Sequence, residues 1–156
     1  MQLESIISPE LTFCNIEGVS KKRLLETSAE LIASKVDVIP DEVYEALIAR
    51  EQLGSTGLGN GIAIPHCRVP KCKDTIGCLV KLANPIDFDA IDQNPVDLLF
   101  FLLVPENTIE GHLEVLRTLA ELFKSQTYCD NLRKSQNDAE LYAAAMRTPN
   151  STEDSQ

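Results

Sequence analysis

Apolar residues recur at three- and four-residue spacing in the first third of the chain. Between Lys21 and Lys35 this spacing predicts an amphipathic helix, with Ser20 as its N-cap. Its apolar face comprises Leu24, Leu25, Leu31 and Ile32. A second helix is predicted to begin at Pro40, because proline suits the first helical turn, and to carry Arg50 at its end.

Two later stretches have the pattern of buried strands. Thr75–Leu82 alternates between apolar and polar residues except at Leu79, and Val96–Val104 reads VDLLFFLLV before Pro105. A nearly unbroken apolar run of this length favours a central strand that is covered on both faces. The segment between them, Pro85–Pro95, has turn-forming residues and is predicted as a loop or an edge strand.

The helical period returns after Pro105. A helix is predicted from about Glu110 to Ser125, with His112 in its first turn and a core-facing stripe. That stripe comprises Leu113, Leu116, Leu119, Ala120 and Phe123. A shorter helix is predicted over 128–134, and Ser135 with Asp138 resembles a capping box before a last helix.

The order of these elements predicts an α/β fold. We expect a single domain over residues 1–147, in which a mixed β-sheet is flanked by helices on both faces, followed by a disordered polar tail at 148–156. With 24 acidic and 14 basic residues the net charge is −10, which disfavours binding to nucleic acid. The apolar runs are too short to insert into a membrane and the N-terminus does not resemble a signal peptide, so a cytoplasmic protein is expected.

The glycine-rich octapeptide GSTGLGNG is the most informative local motif. It spans Gly54 to Gly61, holds four of the seven glycines, and is followed by a short predicted strand from Ile62 that ends at His66. Glycine allows backbone amides to turn toward an anion, and a neutral imidazole can attack phosphorus. The motif lacks the Gly-Lys-Ser/Thr of nucleotide loops, so phosphate handling at His66 without a nucleotide is predicted.

Several groups close to His66 in sequence could stabilise a transferring phosphoryl group. Charge-assisted donors suit this task, and Arg50 supplies a guanidinium. The predicted phosphate loop comprises Ser55, Thr56, Gly57, Gly59, Asn60 and Gly61. For both histidines and the loop, a purely structural role is the alternative when each is considered separately.

Three longer segments together carry a family resemblance. REQLGSTGLGNGIAIPHCR, FDAIDQNPVDLLFFLLVPE and GHLEVLRTLAELF resemble, in order and spacing, the enzyme IIA domain of the fructose and mannitol class of the bacterial phosphoenolpyruvate phosphotransferase system. The similarity is greatest to the nitrogen-related regulatory branch. It implies that His66 is phosphorylated on Nε2, that His112 lies beside it, and that Arg50 counters the phosphate charge.

The resemblance also implies partners. A histidine phosphocarrier protein would be the phosphoryl donor, and regulatory target proteins would read the phosphorylation state. The alternative is a sugar-specific IIA component that passes the group to a cysteine of a IIB domain; the chain contains no IIB or IIC segment, which fits either role. A hydrolase that forms phosphohistidine is a third possibility, and no carboxylate close to His66 in sequence supports it. Whether the protein counts as an enzyme is left open, because a phosphoryl carrier need not turn over repeatedly.

Cysteines and acidic residues allow two further readings. The five cysteines, at positions 14, 67, 72, 78 and 129, are odd in number and unevenly spaced, so free thiols are expected rather than disulfides or a zinc site. Cys67, beside His66 and Arg68, could be an activated thiol. The acidic residues of the 87–97 segment lack a calcium-loop pattern, so neither a metal nor a cofactor is predicted.

Overall fold

Helices and strands follow one another along the chain largely as the apolar pattern predicts. The computed structural model describes residues 3–107 and 111–149, without the side chains of residues 4, 111 and 112. The strands are β1 (Thr12–Ile16), β2 (Gly57–Gly59), β3 (Ile62–Ala63), β4 (His66–Val69), β5 (Ile76–Ile86) and β6 (Val96–Pro105). The helices are α1 (Lys21–Ala33), α2 (Pro40–Gln52), α3 (Gly111–Leu122), α4 (Gln126–Arg133) and α5 (Asp138–Met146), with short 3-10 helices at Leu3–Ser5 and Pro9–Leu11. No helix within these described residues is long and apolar enough to cross a membrane.

The nearly unbroken apolar run forms β6, inside a six-stranded mixed sheet. Strand β6 pairs antiparallel with β5 along one side and runs parallel to β3 and then β4 along the other. Strand β1 lies outside β5, and β2 lies outside β3. The predicted mixed sheet is therefore confirmed.

Alternate residues of β6 pack into two separate cores. Leu99, Phe101 and Leu103 belong to the core formed with α1 and α2, whereas Leu98 and Phe100 belong to the core formed with α3, α4 and α5. All five side chains are almost inaccessible to solvent. Because strand side chains alternate between faces, a strand buried on both sides must be apolar throughout, and the prediction of helices on both faces is confirmed.

The chain does not continue as one strand into His66, as predicted, but starts a new strand there. Strand β3 ends at Ala63, and β4 begins at His66, opposite Leu102 of β6. Pro65 has no N–H group, so it cannot take part fully in the ladder, although its carbonyl oxygen accepts a hydrogen bond from the N–H of Leu102 at 2.9 Å. This interruption places His66 at the start of a strand.

Two predictions about the C-terminal helices are wrong in detail. The N-cap of α5 is Asn137 rather than Ser135: its side chain accepts a hydrogen bond from the N–H of Glu140 at 2.8 Å. Ser135 instead follows the end of α4 and is buried. Leu113 is 57% exposed, so the buried stripe of α3 begins at Val115. Glu110 and the tail from residue 150 lie outside the described residues, and the disordered tail stays a prediction.

Candidate functional site

The last turn of α2 and the first residue of β4 bring Arg50 and His66 together. The Nε–H of Arg50 donates a hydrogen bond to Nε2 of His66 at 3.2 Å, and its Nη1 donates to the carbonyl oxygen of Gly54 at 2.8 Å. Both side chains are half-buried. The arginine is thus hydrogen-bonded both to the imidazole and to the start of the glycine loop.

A backbone carbonyl selects the tautomer of His66. Nδ1 lies 2.8 Å from the carbonyl oxygen of Ile64. A carbonyl oxygen can only accept a hydrogen bond, so in the neutral ring the proton is on Nδ1 and Nε2 carries the lone pair. The lone pair therefore lies on the side of Arg50, which is the arrangement that an Nε2 nucleophile requires.

His66 and Arg50 line a cleft of about 440 Å³. The other lining residues are Ala46, Ala49, Leu53, Cys67, Arg68 and Val104. Leu53 is 84% exposed, so a large apolar side chain stands at the rim. The cleft joins a nucleophilic nitrogen, two guanidinium-bearing residues and an apolar wall.

The donors at the start of the glycine loop have partners within the protein. The hydroxyl of Ser55 donates to the carbonyl oxygen of Phe88 at 2.9 Å and accepts from the N–H of Gly57 at 3.0 Å. The N–H of Thr56 donates to both carboxylate oxygens of Glu51 at 3.3 Å, and its hydroxyl also donates to that carboxylate. These bonds fix the shape of the loop, and direct contact between its donors and a phosphoryl group stays a prediction.

The second half of the loop is a tight hairpin at the edge of the sheet. Gly57 and Gly59 belong to β2, which pairs with β3, and Asn60 donates its N–H to Oδ2 of Asp92 at 2.9 Å. Gly61 has a φ of 83° and its carbonyl oxygen accepts from the N–H groups of Asp97 and Leu98, at 3.0 and 3.1 Å. The predicted loop therefore contains a short strand.

The backbone of His112 lies in the first turn of α3, as predicted. Its side chain is outside the described part of the structure, so its proximity to His66 stays a prediction. The described residues bring together His66, Arg50 and the start of the glycine loop.

Sequence reasoning missed Glu51 and Lys21. The Glu51 carboxylate is 5% exposed and forms a salt bridge with the Nζ of Lys21 at 2.8 Å. It also accepts the hydrogen bonds from Thr56. Lys21 also lies over the Phe88 ring, 4.7 Å from its centroid. The only signal for this network in the sequence was an acidic residue at the C-terminal end of a helix, where the helix dipole disfavours a negative charge.

Cys67 is not an activated thiol. Its side chain points into the core, and burial, with a smaller contribution from Cys72, raises its pKa from the ordinary value of 9.0 to about 12. All five cysteines are free, in agreement with the prediction.

The acidic residues after β5 make structural contacts. Asp97 pairs with Arg133, and Asp92 accepts the N–H groups of Asn60 and Asn94. In residues 3–107 and 111–149, no group of three or more His, Cys, Asp or Glu side chains is arranged to hold a metal ion.

Comparison with known proteins gives a consistent result. The sequence model of the family described as "Phosphoenolpyruvate-dependent sugar phosphotransferase system, EIIA 2" matches residues 5–145. A "Nitrogen regulatory protein" of Pseudomonas aeruginosa is 45% identical over 151 residues, which cover 96% of this chain and 98% of the relative.

Two solved structures have the same fold. Nitrogen regulatory protein IIA-Ntr from Neisseria meningitidis superimposes with a TM-score of 0.84 at 40% identity, covering 90% of this chain and 97% of that one. Mannitol IIA from Escherichia coli has a TM-score of 0.75 at 20% identity, covering 88% and 97%, and shows the shared fold. The chain, with its histidine at the start of β4, belongs to the EIIA 2 family of the phosphoenolpyruvate-dependent sugar phosphotransferase system.

Proposed function

We propose that the protein is a cytoplasmic phosphoryl carrier of the nitrogen-related phosphotransferase branch, and that His66 accepts the phosphoryl group on Nε2. One observation carries the proposal: the Ile64 carbonyl holds the proton on Nδ1 while Arg50 donates to Nε2, so the nucleophilic nitrogen and a cation meet in the cleft. The name of the Pseudomonas aeruginosa relative supports the nitrogen-related assignment.

The transfer step follows from these contacts. The lone pair on Nε2 forms a bond to phosphorus as the nitrogen–phosphorus bond of a phosphorylated histidine phosphocarrier protein breaks, and the carrier's imidazole keeps the electron pair of that bond. The proton on Nδ1 of His66 stays in place, hydrogen-bonded to Ile64. The Arg50 Nε–H, which occupies the lone pair before transfer, moves to a phosphoryl oxygen and counters its charge.

His112 and the glycine loop complete the proposed site. His112 would contact the phosphoryl group from α3, and the glycine loop of residues 55–61 would orient it. The N–H groups of Thr56, Gly57 and Asn60 already donate within the protein, so we assign this role to the shape of the loop and its other donors. Neither group is the proposed nucleophile, so we expect their loss to lower the rate of transfer without changing the acceptor.

The phosphorylated state would be read by regulatory target proteins. Phosphorylation adds about −1.5 to −2 charge at a serine-type site, and a comparable change on His66 would alter the cleft surface beside Arg50, Arg68 and Leu53 rather than the fold. A binding partner can therefore distinguish the two states through contacts at this cleft.

Labelling with radioactive phosphoenolpyruvate, an enzyme I and the phosphocarrier tests the acceptor. We expect an acid-labile label on the wild type, a label on His112→Ala, which keeps the acceptor, and none on His66→Ala. A folded His66→Ala protein that still takes up the label would contradict the assignment.

A second experiment tests the regulatory role. Proteins bound by the wild type in its phosphorylated state are compared with those bound by His66→Ala, and we expect the two sets to differ. Identical sets would contradict the switch, and rapid transfer from His66 to a IIB cysteine would favour the sugar-transport alternative.

A further inference from the structure

We propose that Glu51 is a positioning residue for phosphoryl transfer: its buried carboxylate holds Thr56, and through Thr56 the carbonyl group that bonds Nδ1 of His66. Its backbone carbonyl holds Gly54, to which Arg50 is hydrogen-bonded. This inference rests on the proposed function. It concerns a buried residue that is not among those lining the cleft.

One route leads from Glu51 to Nδ1 of His66. The N–H of Thr56 donates to the Glu51 carboxylate, and the carbonyl oxygen of Thr56 accepts from the N–H of Ile64 at 3.1 Å. The carbonyl oxygen of Ile64 in turn bonds Nδ1 of His66 at 2.8 Å. Successive bonds belong to different peptide units, so this route transmits position rather than charge.

A second route leads to Nε2. The N–H of Gly54 donates to the backbone carbonyl oxygen of Glu51 at 3.1 Å, and the carbonyl oxygen of Gly54 accepts from Nη1 of Arg50 at 2.8 Å. Residues 54–56 form the bend that follows α2. Glu51 holds this bend at both ends, by its backbone at Gly54 and by its side chain at Thr56. Arg50 therefore donates hydrogen bonds both to this bend and to Nε2 of His66.

The charges of the network are placed where folding alone does not favour them. Glu51 is an acid in the last turn of α2, and its partner Lys21 is the first residue of α1, so each charge opposes the dipole of its own helix. Burying an ion pair is often no better for stability than an apolar pair of similar size. Local conflicts of this kind are expected where geometry at a functional site depends on them.

Lys21 brings a further segment into the network. Its Nζ lies 3.6 Å from Asp89 and over the ring of Phe88, whose carbonyl oxygen accepts from the Ser55 hydroxyl. The bend is therefore held against α1, α2 and the segment after β5. Replacing the Glu51 carboxylate by an amide leaves Lys21 without its closest acidic partner, and leaves a single oxygen to accept from the N–H and the hydroxyl of Thr56.

Single-turnover transfer from the phosphorylated phosphocarrier tests the proposal. For Glu51→Gln, we expect the rate at saturating carrier to fall about 10- to 100-fold, while the half-saturating carrier concentration changes by less than about twofold. Glu45→Gln, at an exposed position of the same helix, is the matched control and should transfer at the wild-type rate. We also expect the nitrogen chemical shifts of the neutral His66 ring to report a smaller fraction of the Nδ1-protonated tautomer in Glu51→Gln.

A pair of variants at Thr56 supplies an independent measurement if Glu51→Gln does not fold. Thr56→Ser keeps the hydroxyl donor and should stay within about twofold of the wild-type rate, whereas Thr56→Val removes it and should be several-fold slower. A folded Glu51→Gln with wild-type rate and tautomer fraction, or equal rates for Thr56→Val and Thr56→Ser, would overturn the inference. Failure of the wild type to take up label would instead overturn the proposed function.

Discussion

Arg133 of α4 donates to both carboxylate oxygens of Asp97 of β6, from Nε to Oδ2 and from Nη2 to Oδ1, both at 2.9 Å, with a longer bond from Nε to Oδ1 at 3.2 Å. Its Nη2 also donates to the carbonyl oxygen of Asn60 at 2.7 Å. The pair therefore holds the end of the glycine loop, as Glu51 and Lys21 hold its start. The loop is fixed from opposite faces of the sheet.

Replacing Arg133 by methionine should destabilise the protein by about 1–3 kcal/mol, because Asp97 loses its partner in a half-buried setting and the exposed Asn60 carbonyl loses a donor. Urea denaturation measures the change in the free energy of unfolding. Arg117→Met, at an exposed position of α3, is the control and should lie within about 0.5 kcal/mol of the wild type. Equal effects of the two substitutions would contradict a role for the pair.

Gly61 is expected to tolerate no side chain. A Cβ at this position would lie 2.6 Å from Nη2 of Arg133 and 2.9 Å from Oδ1 of Asp97, and the φ of 83° is itself unfavourable for alanine. We expect Gly61→Ala to cost about 1–3 kcal/mol from backbone strain, plus the displacement of the ion pair.

Gly54→Ala separates the two contributions. Gly54 also has a positive φ, of 148°, but no atom lies within 4 Å of a Cβ built there. The loss of free energy of unfolding, measured by urea denaturation, should therefore be smaller for Gly54→Ala than for Gly61→Ala. In addition, the effects of Gly61→Ala and Arg133→Met should be less than additive when combined, because both disrupt the same contact. Strictly additive effects of Gly61→Ala and Arg133→Met would contradict a shared contact.

The predictable parts of this structure are those decided by local pattern. VDLLFFLLV predicted β6 because a strand covered on both faces needs apolar residues on both, and Ser20 predicted the start of α1 because its hydroxyl bonds the N–H of Arg23. The strand at His66 was misplaced, since apolar spacing does not reveal where Pro65 interrupts a ladder. The predicted N-cap of α5 was wrong, because Asn137, which is also a good capping residue, caps the helix instead of Ser135.

The parts that depend on contacts distant in sequence could not be predicted. Glu51 is stabilised by Lys21 at the start of another helix, and Asn60 is held by Arg133 from the far end of the chain. Neither pair has a spacing that distinguishes it from other acidic and basic residues. Arg50 could be proposed because it lies near the glycine loop in sequence and matches the family motif.

The Cys67 thiol should make stability depend on alkaline pH. Because its pKa is raised from 9.0 to about 12 in the folded state, the folded protein keeps a proton that the unfolded chain releases above pH 9. Its contribution to stability is complete below pH 9 and declines as pH rises through 12, by about 1.4 kcal/mol per pH unit. Urea denaturation between pH 8 and 11 should therefore give a steeper decline for the wild type than for Cys67→Ser, which cannot titrate there. Parallel curves would contradict this.

Arg50→Lys tests whether charge alone is sufficient beside His66. Lysine keeps the positive charge, but its single ammonium cannot reproduce the two divergent bonds from Nε to His66 and from Nη1 to Gly54. We expect the rate of transfer at saturating phosphocarrier to fall about 10- to 100-fold in Arg50→Lys, and further in Arg50→Gln, which loses the charge as well. Rapid-quench measurement of the label on His66 gives these rates.

Arg23→Lys, an exposed change in α1, is the matched control and should leave the rate unchanged. The order of the variants separates two explanations. If Arg50→Lys transfers as fast as the wild type while Arg50→Gln is slow, the site needs only a cation, and the bond to Gly54 has no part in positioning the guanidinium. If both variants are slow, the planar group held by the bend is required, because only a donor fixed in advance can move from Nε2 to the phosphoryl oxygen without reorganising the cleft.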